Sequence, residues 1–220
     1  MTTETNLLDL GLKDYAVVLE LQRKLVDLRA KRLIPDTLII VEHPHVFTVG
    51  KAVPGETPNQ IDGVPVFRIE RGGQWTYHGL GQLVGYPILD LNARGRDIHR
   101  FLRAIEETLI LALGDFGIVA GRGAQTGVWV GEKKIASIGA AIRNWISFHG
   151  FALNVNTDLS CFHKISPCGF HGSTMTSMKA TLDREVDFVE VKKHVLYGFE
   201  KAFDANLQNA APETLQAAVT

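Results

Sequence analysis

Two cysteines in 220 residues are too few for a disulfide framework, and no C-x-x-C spacing occurs. A reducing compartment fits that usage. Charge of one sign is missing as well: 23 Lys and Arg against 24 Asp and Glu leave a formal net charge of −1. The balance gives no global reason to expect nucleic-acid binding. No apolar run approaches the ~18–20 residues of a membrane helix. The opening "MTTETNLLDLGLKDY" lacks the charged-then-apolar pattern of a signal peptide, and its acids argue against a transit sequence. A soluble, cytoplasmic protein with neither a nucleic-acid nor a membrane partner is expected. The phosphate-binding pattern G-x-x-x-x-G-K-[ST] is also absent. Gly79, Gly81 and Gly85 are spaced G-x-G-x-x-x-G, which is not the dinucleotide fingerprint. "GRGAQTG" (121–127) has the glycines without the lysine, so nucleotide chemistry is unsupported.

What is present suits a packed globular chain. Hydrophobic residues make up 45% and charged residues 21%, which excludes wholesale disorder. Residues 13–32 carry apolar side chains at Tyr15, Val18, Leu19, Leu25 and Leu28 and stop before Pro35, the pattern of an amphipathic helix. Residues 96–117 repeat it more clearly, with Asp97 as cap and Gly114 or Gly117 as terminator. A third helix is expected over 187–204. Strands are expected at 36–44, 63–73 and 82–91, and Pro87 marks the last as an edge strand or a bulge. After residue 126, "TGVWV", "KKIASIGAAIRN" and "ISFHGFALNVN" are separated by turn residues and predict an antiparallel meander. The fold class is α+β: a mixed, largely antiparallel sheet flanked by helices. Residues 1–207 form one expected catalytic domain and residues 208–220 a flexible tail.

Three stretches draw chemical attention. "RGGQWTYHGLGQLVGYP" (71–87) mixes five glycines with Arg71, Thr76, Tyr77, His78 and Gln82. It reads either as a binding loop, where glycine lets a ligand approach the backbone, or as a glycine-punctuated hairpin. "ISPCGF" (165–170) holds Cys168 between Pro167 and Gly169, in turn sequence where a packed cysteine is unusual. The residue is either a small hydrophobe or a displayed nucleophile, and a nucleophile needs a neighbour that raises its thiolate fraction. Lys134, in "KKIASIG", starts a run of small and apolar residues where a lysine's charge is costly and its pKa readily lowered. It also belongs to the charged turn "GEKK", which predicts solvation. Cys161, His163, Cys168 and His171 are too closely spaced, and lack the paired-cysteine arm, for a zinc site. No metal and no cofactor is expected.

"RGGQWTYHGLGQLVGYP", "KKIASIG", "FHGFALNVN" and "ISPCGF" occur in the order and spacing of the lipoyl (octanoyl) transferases, and the resemblance runs from about residue 12 to 204. It implies the α+β catalytic domain shared with lipoate– and biotin–protein ligases. It implies an ATP-independent acyltransferase that takes an octanoyl group from octanoyl-acyl carrier protein. The acceptor would be a lysine on the lipoyl domains of 2-oxoacid dehydrogenase E2 subunits and of the glycine cleavage H protein. By position, Cys168 matches the acyl-thioester nucleophile and Lys134 the lysine that activates it. Arg71, Gly72, Gly73, Gln74, Trp75, Thr76, Tyr77 and His78 match a first substrate-binding segment. Ser137, Ile138 and Gly139, then Gly150, Phe151 and Ala152, match two more that line an acyl tunnel. His43 and His149 fall at recurrent family histidines. Leu80 stands where the family usually has proline. An ATP-dependent lipoate ligase and a non-catalytic module that binds carrier or lipoyl domains are the alternatives. Arg94, Arg96, Arg100 and Arg103 read either as a docking patch for acidic partners or as a solvated helix face.

Overall fold

The computed structural model describes residues 2–123, 125–165 and 174–210. The chain opens with β1 (Thr3–Leu12), α1 (Tyr15–Ala30), β2 (Asp36–Glu42) and β3 (Val46–Val49). Then come β4 (Gln60–Ile61), β5 (Val64–Arg68), β6 (Trp75–His78), β7 (Gln82–Ile88) and α2 (Ile98–Asp115). The meander is β8 (Gly121–Arg122), β9 (Gly127–Val130), β10 (Lys133–Arg143) and β11 (Ile146–Asn154). A 3₁₀ turn (Leu159–Lys164), α3 (Met178–Leu182), α4 (Phe188–Phe203) and β12 (Ala205–Asn209) complete it. Gln208 and Asn209, expected in the tail, thus belong to a strand; residues 211–220 lie outside the described residues.

The larger sheet has eight strands in the order β12-β1-β2-β7-β11-β10-β9-β8. β1 runs parallel to both β2 and β12, and the remaining pairs are antiparallel. Side-chain alternation splits the core in two. Leu38 and Ile40 face α2 and α4, beside Leu109, Val195 and Phe199. Ile39 and Val41 face α1, beside Val18, Leu25 and Val26. The three long helices are capped as the sequence dictates: Asp14, Asp97 and Asp187 each accept from backbone N–H groups of the first turn. At the meander's second turn Asn144 and Trp145 both have positive φ (53° and 62°), which gives a tight two-residue hairpin. Among the described residues no helix is long and apolar enough to cross a membrane.

A smaller sheet, β4-β5-β3-β6, stands beside the first and carries residues 75–78. β3 pairs antiparallel with β6, so that Val46 lies opposite His78.

Pro87 sits neither on an edge nor in a register shift: β7 is a central strand between β2 and β11. The reason is the alternation of hydrogen-bonding partners along an antiparallel strand. β7 and β11 are in register at Gly85–Phe151, and Ser147 N donates to Leu89 O at 3.0 Å. That register sets Pro87 opposite His149, at a position where an N–H would have donated toward β11. Lacking one, the ladder opens there. Ser147 Oγ donates to Pro87 O at 2.7 Å, and His149 N donates to Gln22 Oε1 of α1 at 2.8 Å. His149 takes φ = 55°, unusual for a side chain other than Gly, Asn or Asp. The ladder thus opens beside the cleft that His149 and Gly150 help to line.

Candidate active site

The cleft encloses about 400 Å³ of empty volume between β6, β7, β10 and β11. Its wall takes Arg71, Thr76 and His78 from the first glycine-rich stretch, all of Ser137–Gly139, and all of Gly150–Ala152 with His149. Three segments of the sequence thus meet at one place. The sheet register is the cause: Ser137, Ile138 and Gly139 pair across β10–β11 with Ala152, Phe151 and Gly150.

Glycines let the walls pack closely. A Cβ on Gly85 would lie 2.2 Å from the Phe151 ring, and one on Gly150 would lie 2.3 Å from Gly85 O. Gly139 leaves room for the Arg71 stem, whose Cδ would lie 3.0 Å from an added Cβ. Arg71 is buried, and its guanidinium donates to Thr48 O (2.9 Å), Thr48 Oγ1 (3.0 Å) and Gly72 O (3.0 Å). The 71–74 turn is pinned by Gly72 N donating to Ala140 O and Gly50 N donating to Gln74 O. Gly73 turns with φ = 80°, and Gly50 must be bare because a Cβ there would lie 2.3 Å from Gly73 O. Gly72, Gly73, Gln74 and Trp75 stay outside the cleft wall, as does the Tyr77 ring, which packs on Phe47 and Phe162 and hydrogen-bonds His45 Nδ1 at 2.6 Å.

Three buried histidines surround the cleft. His78 lies in the wall, stacked at 5.9 Å on Tyr15 and 6.0 Å from the His43 ring. Burial pushes its pKa down to about 3, reinforced by His43. His43 stands behind it: Nδ1 donates to Lys13 O (2.7 Å) and Nε2 accepts from the Tyr86 hydroxyl (2.9 Å). Burial holds His43 at about 4. His149 is pushed down to about 4, again by burial first, although the Glu70 carboxylate 3.6 Å from Nε2 works the other way. Both ring nitrogens of His149 and the hydroxyls of Thr76 and Ser137 are buried without a hydrogen-bond partner. With Arg71 and His78 they are the polar groups of a wall whose exposed surface is mostly apolar.

Lys134 is 2% exposed, at the start of β10. Of the two readings its sequence allowed, burial rather than solvation in the "GEKK" turn is observed. Its Nζ donates to Thr126 O at 3.2 Å and lies 4.9 Å from the Trp129 ring centroid. Gly127 (φ = 137°) passes close to the lysine stem, where a Cβ would meet Cε at 3.1 Å. Met175 pairs with Lys134, and Thr176 N donates to Lys134 O at 2.9 Å. Cys168 and His171 lie in 166–173, outside the described residues. Of the four arginines read as a patch, Arg94 is tied to Asp36 and Phe203 O, Arg96 to Asn92 and Arg103 to Glu106.

Residues 14–200 match the lipoyl protein ligase A/B catalytic domain. An octanoyltransferase of Geotalea uraniireducens is 46% identical over 201 residues, covering 90% of this chain and 93% of the relative. One of Syntrophotalea carbinolica is 46% identical over 209 residues, covering 94% and 98%. The chain belongs to the octanoyltransferases of that family. The octanoyltransferases are acyl-transferring enzymes, and the α+β architecture agrees with solved relatives of the wider fold. A lipoate-protein ligase A bound with ATP has a TM-score of 0.73 at 19% identity, covering 100% of this chain and 93% of that one. A biotin protein ligase from Aquifex aeolicus has a TM-score of 0.52 at 12% identity, covering 92% and 70%. At those identities the likeness is one of fold.

Sequence reasoning passed over three wall residues of this octanoyltransferase-family cleft: Tyr15, Ile69 and Tyr86. Tyr15 read as the apolar face of a helix, Ile69 as an alternating strand residue, and nothing singled out Tyr86 within the 71–87 stretch. Nothing local distinguishes a core position from one beside a cleft.

Proposed function

We propose that this chain moves an octanoyl group from octanoyl-acyl carrier protein to the target lysine of a lipoyl domain, the first step of protein lipoylation. Cys168 carries the acyl group between the two as a thioester. The observation that carries the reading is Lys134: a fully buried amine on β10, the strand that three residues later gives Ser137–Gly139 to the cleft wall, in a chain of the octanoyltransferase family. Burial disfavours the ammonium form, so a lysine so placed is suited to proton transfer.

In the first half-reaction Cys168 Sγ gives its proton to Lys134 and attacks the thioester carbon. The C–S bond to the carrier breaks, and the carrier thiolate takes the proton back from Lys134. In the second, the incoming lysine must shed a proton, since an ammonium has no lone pair and its reference pKa is ~10.4. Neutral Lys134 accepts it. The amine attacks the acyl carbon and the C–S bond to Cys168 breaks. The Cys168 thiolate takes the proton held by Lys134, and the surplus proton of the new amide nitrogen leaves to solvent. A thioester is already activated relative to an amide, so neither step needs ATP. Ile138, Phe151 and Ala152 give the cleft apolar wall for the acyl chain, each buried methylene contributing ~0.8 kcal/mol.

Intact-protein mass spectrometry after mixing with octanoyl-acyl carrier protein, without ATP, tests the proposal. An octanoyl adduct is expected on the wild type and not on Cys168→Ser, sensitive to hydroxylamine and discharged by an added lipoyl domain. No adduct, together with modification of the lipoyl domain from free lipoate and ATP, would make the chain a ligase.

A further inference from the structure

Four buried polar groups form one directed hydrogen-bond chain beneath the cleft. His78 Nδ1 lies 2.7 Å from Gln82 Oε1. Gln82 Nε2 donates to Asn154 Oδ1 (2.9 Å) and to Tyr77 O (3.2 Å). Asn154 Nδ2 donates to Thr176 O at 2.9 Å. Gln82 and Asn154 are cross-strand neighbours on β7 and β11, and both are about 1% exposed.

The direction of the chain is not a choice. Its two backbone ends, Thr176 O and Tyr77 O, accept only. Thr176 O requires the NH₂ of Asn154, which turns Oδ1 toward Gln82. Asn154 Oδ1 and Tyr77 O together consume both hydrogens of Gln82 Nε2, which leaves Oε1 facing His78. Flipping Gln82 would set its carbonyl against Asn154 Oδ1 and Tyr77 O, and flipping Asn154 would set carbonyl against carbonyl at Thr176 and donor against donor at Gln82, each costly at a buried site. His78 Nδ1 must therefore carry the proton, and Nε2 is left with its lone pair. Free imidazole in water favours the opposite tautomer, so the chain imposes this one. Its far end also joins the segment beside the buried lysine, since Thr176 N donates to Lys134 O.

We propose that Gln82 and Asn154 are positioning residues that hold His78 as its Nδ1–H tautomer, so that Nε2 accepts a hydrogen bond from the incoming lysine amine. This rests on the acyl-transfer reading of the same cleft and assigns it a second amine contact. Discharge to an amine is the half-reaction that needs such an acceptor: the nucleophilic nitrogen arrives with more N–H groups than Lys134 alone receives. Transfer from the carrier thiol to Cys168 brings no N–H and does not need it.

The test is ¹⁵N NMR of the histidine rings in the full chain, with single-turnover kinetics. In the wild type His78 is expected as Nδ1–H; an Nε2–H ring would overturn the proposal without any variant. Gln82→Met removes the acceptor for Nδ1–H. The ring should revert to Nε2–H, and discharge of the octanoyl adduct to a lipoyl domain should slow by about 10²-fold while adduct formation is unchanged. Gln82→Glu, protonated so that its O–H donates to Asn154 Oδ1, keeps a carbonyl acceptor opposite Nδ1 and should restore the tautomer and part of the discharge rate. Equal slowing of both half-reactions, or a Gln82→Met chain that discharges normally, would sink the idea. Failure of the wild type to form any adduct would instead refute the acyl-transfer reading, leaving the tautomer measurement to stand by itself.

Discussion

At the residue scale, the most informative side chain is Lys134, because a lysine enclosed to 2% exposure is costly unless it has a task. Replacing it with methionine keeps a flexible stem of similar bulk and removes the amine. Lys134→Met should therefore fold at least as stably as the wild type by thermal unfolding. Octanoyl transfer should fall by ~10²–10⁴, the usual range for losing a general acid–base group. Loss of folding, with activity tracking only the folded fraction, would reduce Lys134 to a structural residue. The sequence marked this position through "KKIASIG" and the order of its companion motifs, but burial was not readable from it. The charged "GEKK" turn predicts solvent, whereas among the described residues Thr126, Gly127 and the Trp129 ring of β9 close in on the amine and its stem. Tyr15 and Tyr86 show the converse: their types predict core, and the cleft that they touch exists only once distant strands are joined.

At the element scale, the helices and the meander were legible because their signals are local: aspartate caps, 3.6-residue periodicity and turn residues at 131–132 and 144–145. β1, β3, β6 and β12 were not, since each is defined by a partner remote in sequence, as β12 is by its parallel ladder with β1. Pro87 is the instructive miss. A proline in a strand argues for an edge, yet here it faces a ladder position that β11 has abandoned, and α1 supplies the substitute bond through Gln22. Gln22→Ala should orphan His149 N at a fully buried site. The expected cost is about 1–3 kcal/mol, read as a lower urea midpoint. Gln22→Glu retains an acceptor and should recover part of it. If Gln22→Ala leaves the midpoint unchanged, the ladder gap is closed by some other donor arrangement and the strained His149 backbone needs another explanation.

At the scale of the whole molecule, His78 and His149 line the octanoyltransferase-family cleft with His43 packed behind His78. Burial lowers all three, His43 to about 4, His78 to about 3 and His149 to about 4. An unfolded chain exposes them near the ordinary value of ~6.5. Below that pH the unfolded state binds protons that the folded state refuses, so stability falls as pH drops from about 6.5 toward 4 and is insensitive to these groups above about 7. With three sites the slope approaches ~4 kcal/mol per pH unit near pH 5, from ~1.4 kcal/mol per proton and unit. A domain holding ~5–15 kcal/mol in total loses a large part of it in that interval. Urea unfolding at pH 7.5 and pH 5 should therefore give a much lower midpoint in acid, and His43→Gln should flatten the dependence by about one proton. His43 is the member to replace because its two partners, Lys13 O and the Tyr86 hydroxyl, are both met by a glutamine amide, whereas His149 is tied to Glu70. Equal midpoints at the two pH values would mean that the histidines gain water or protons without unfolding, and that the cleft opens in acid.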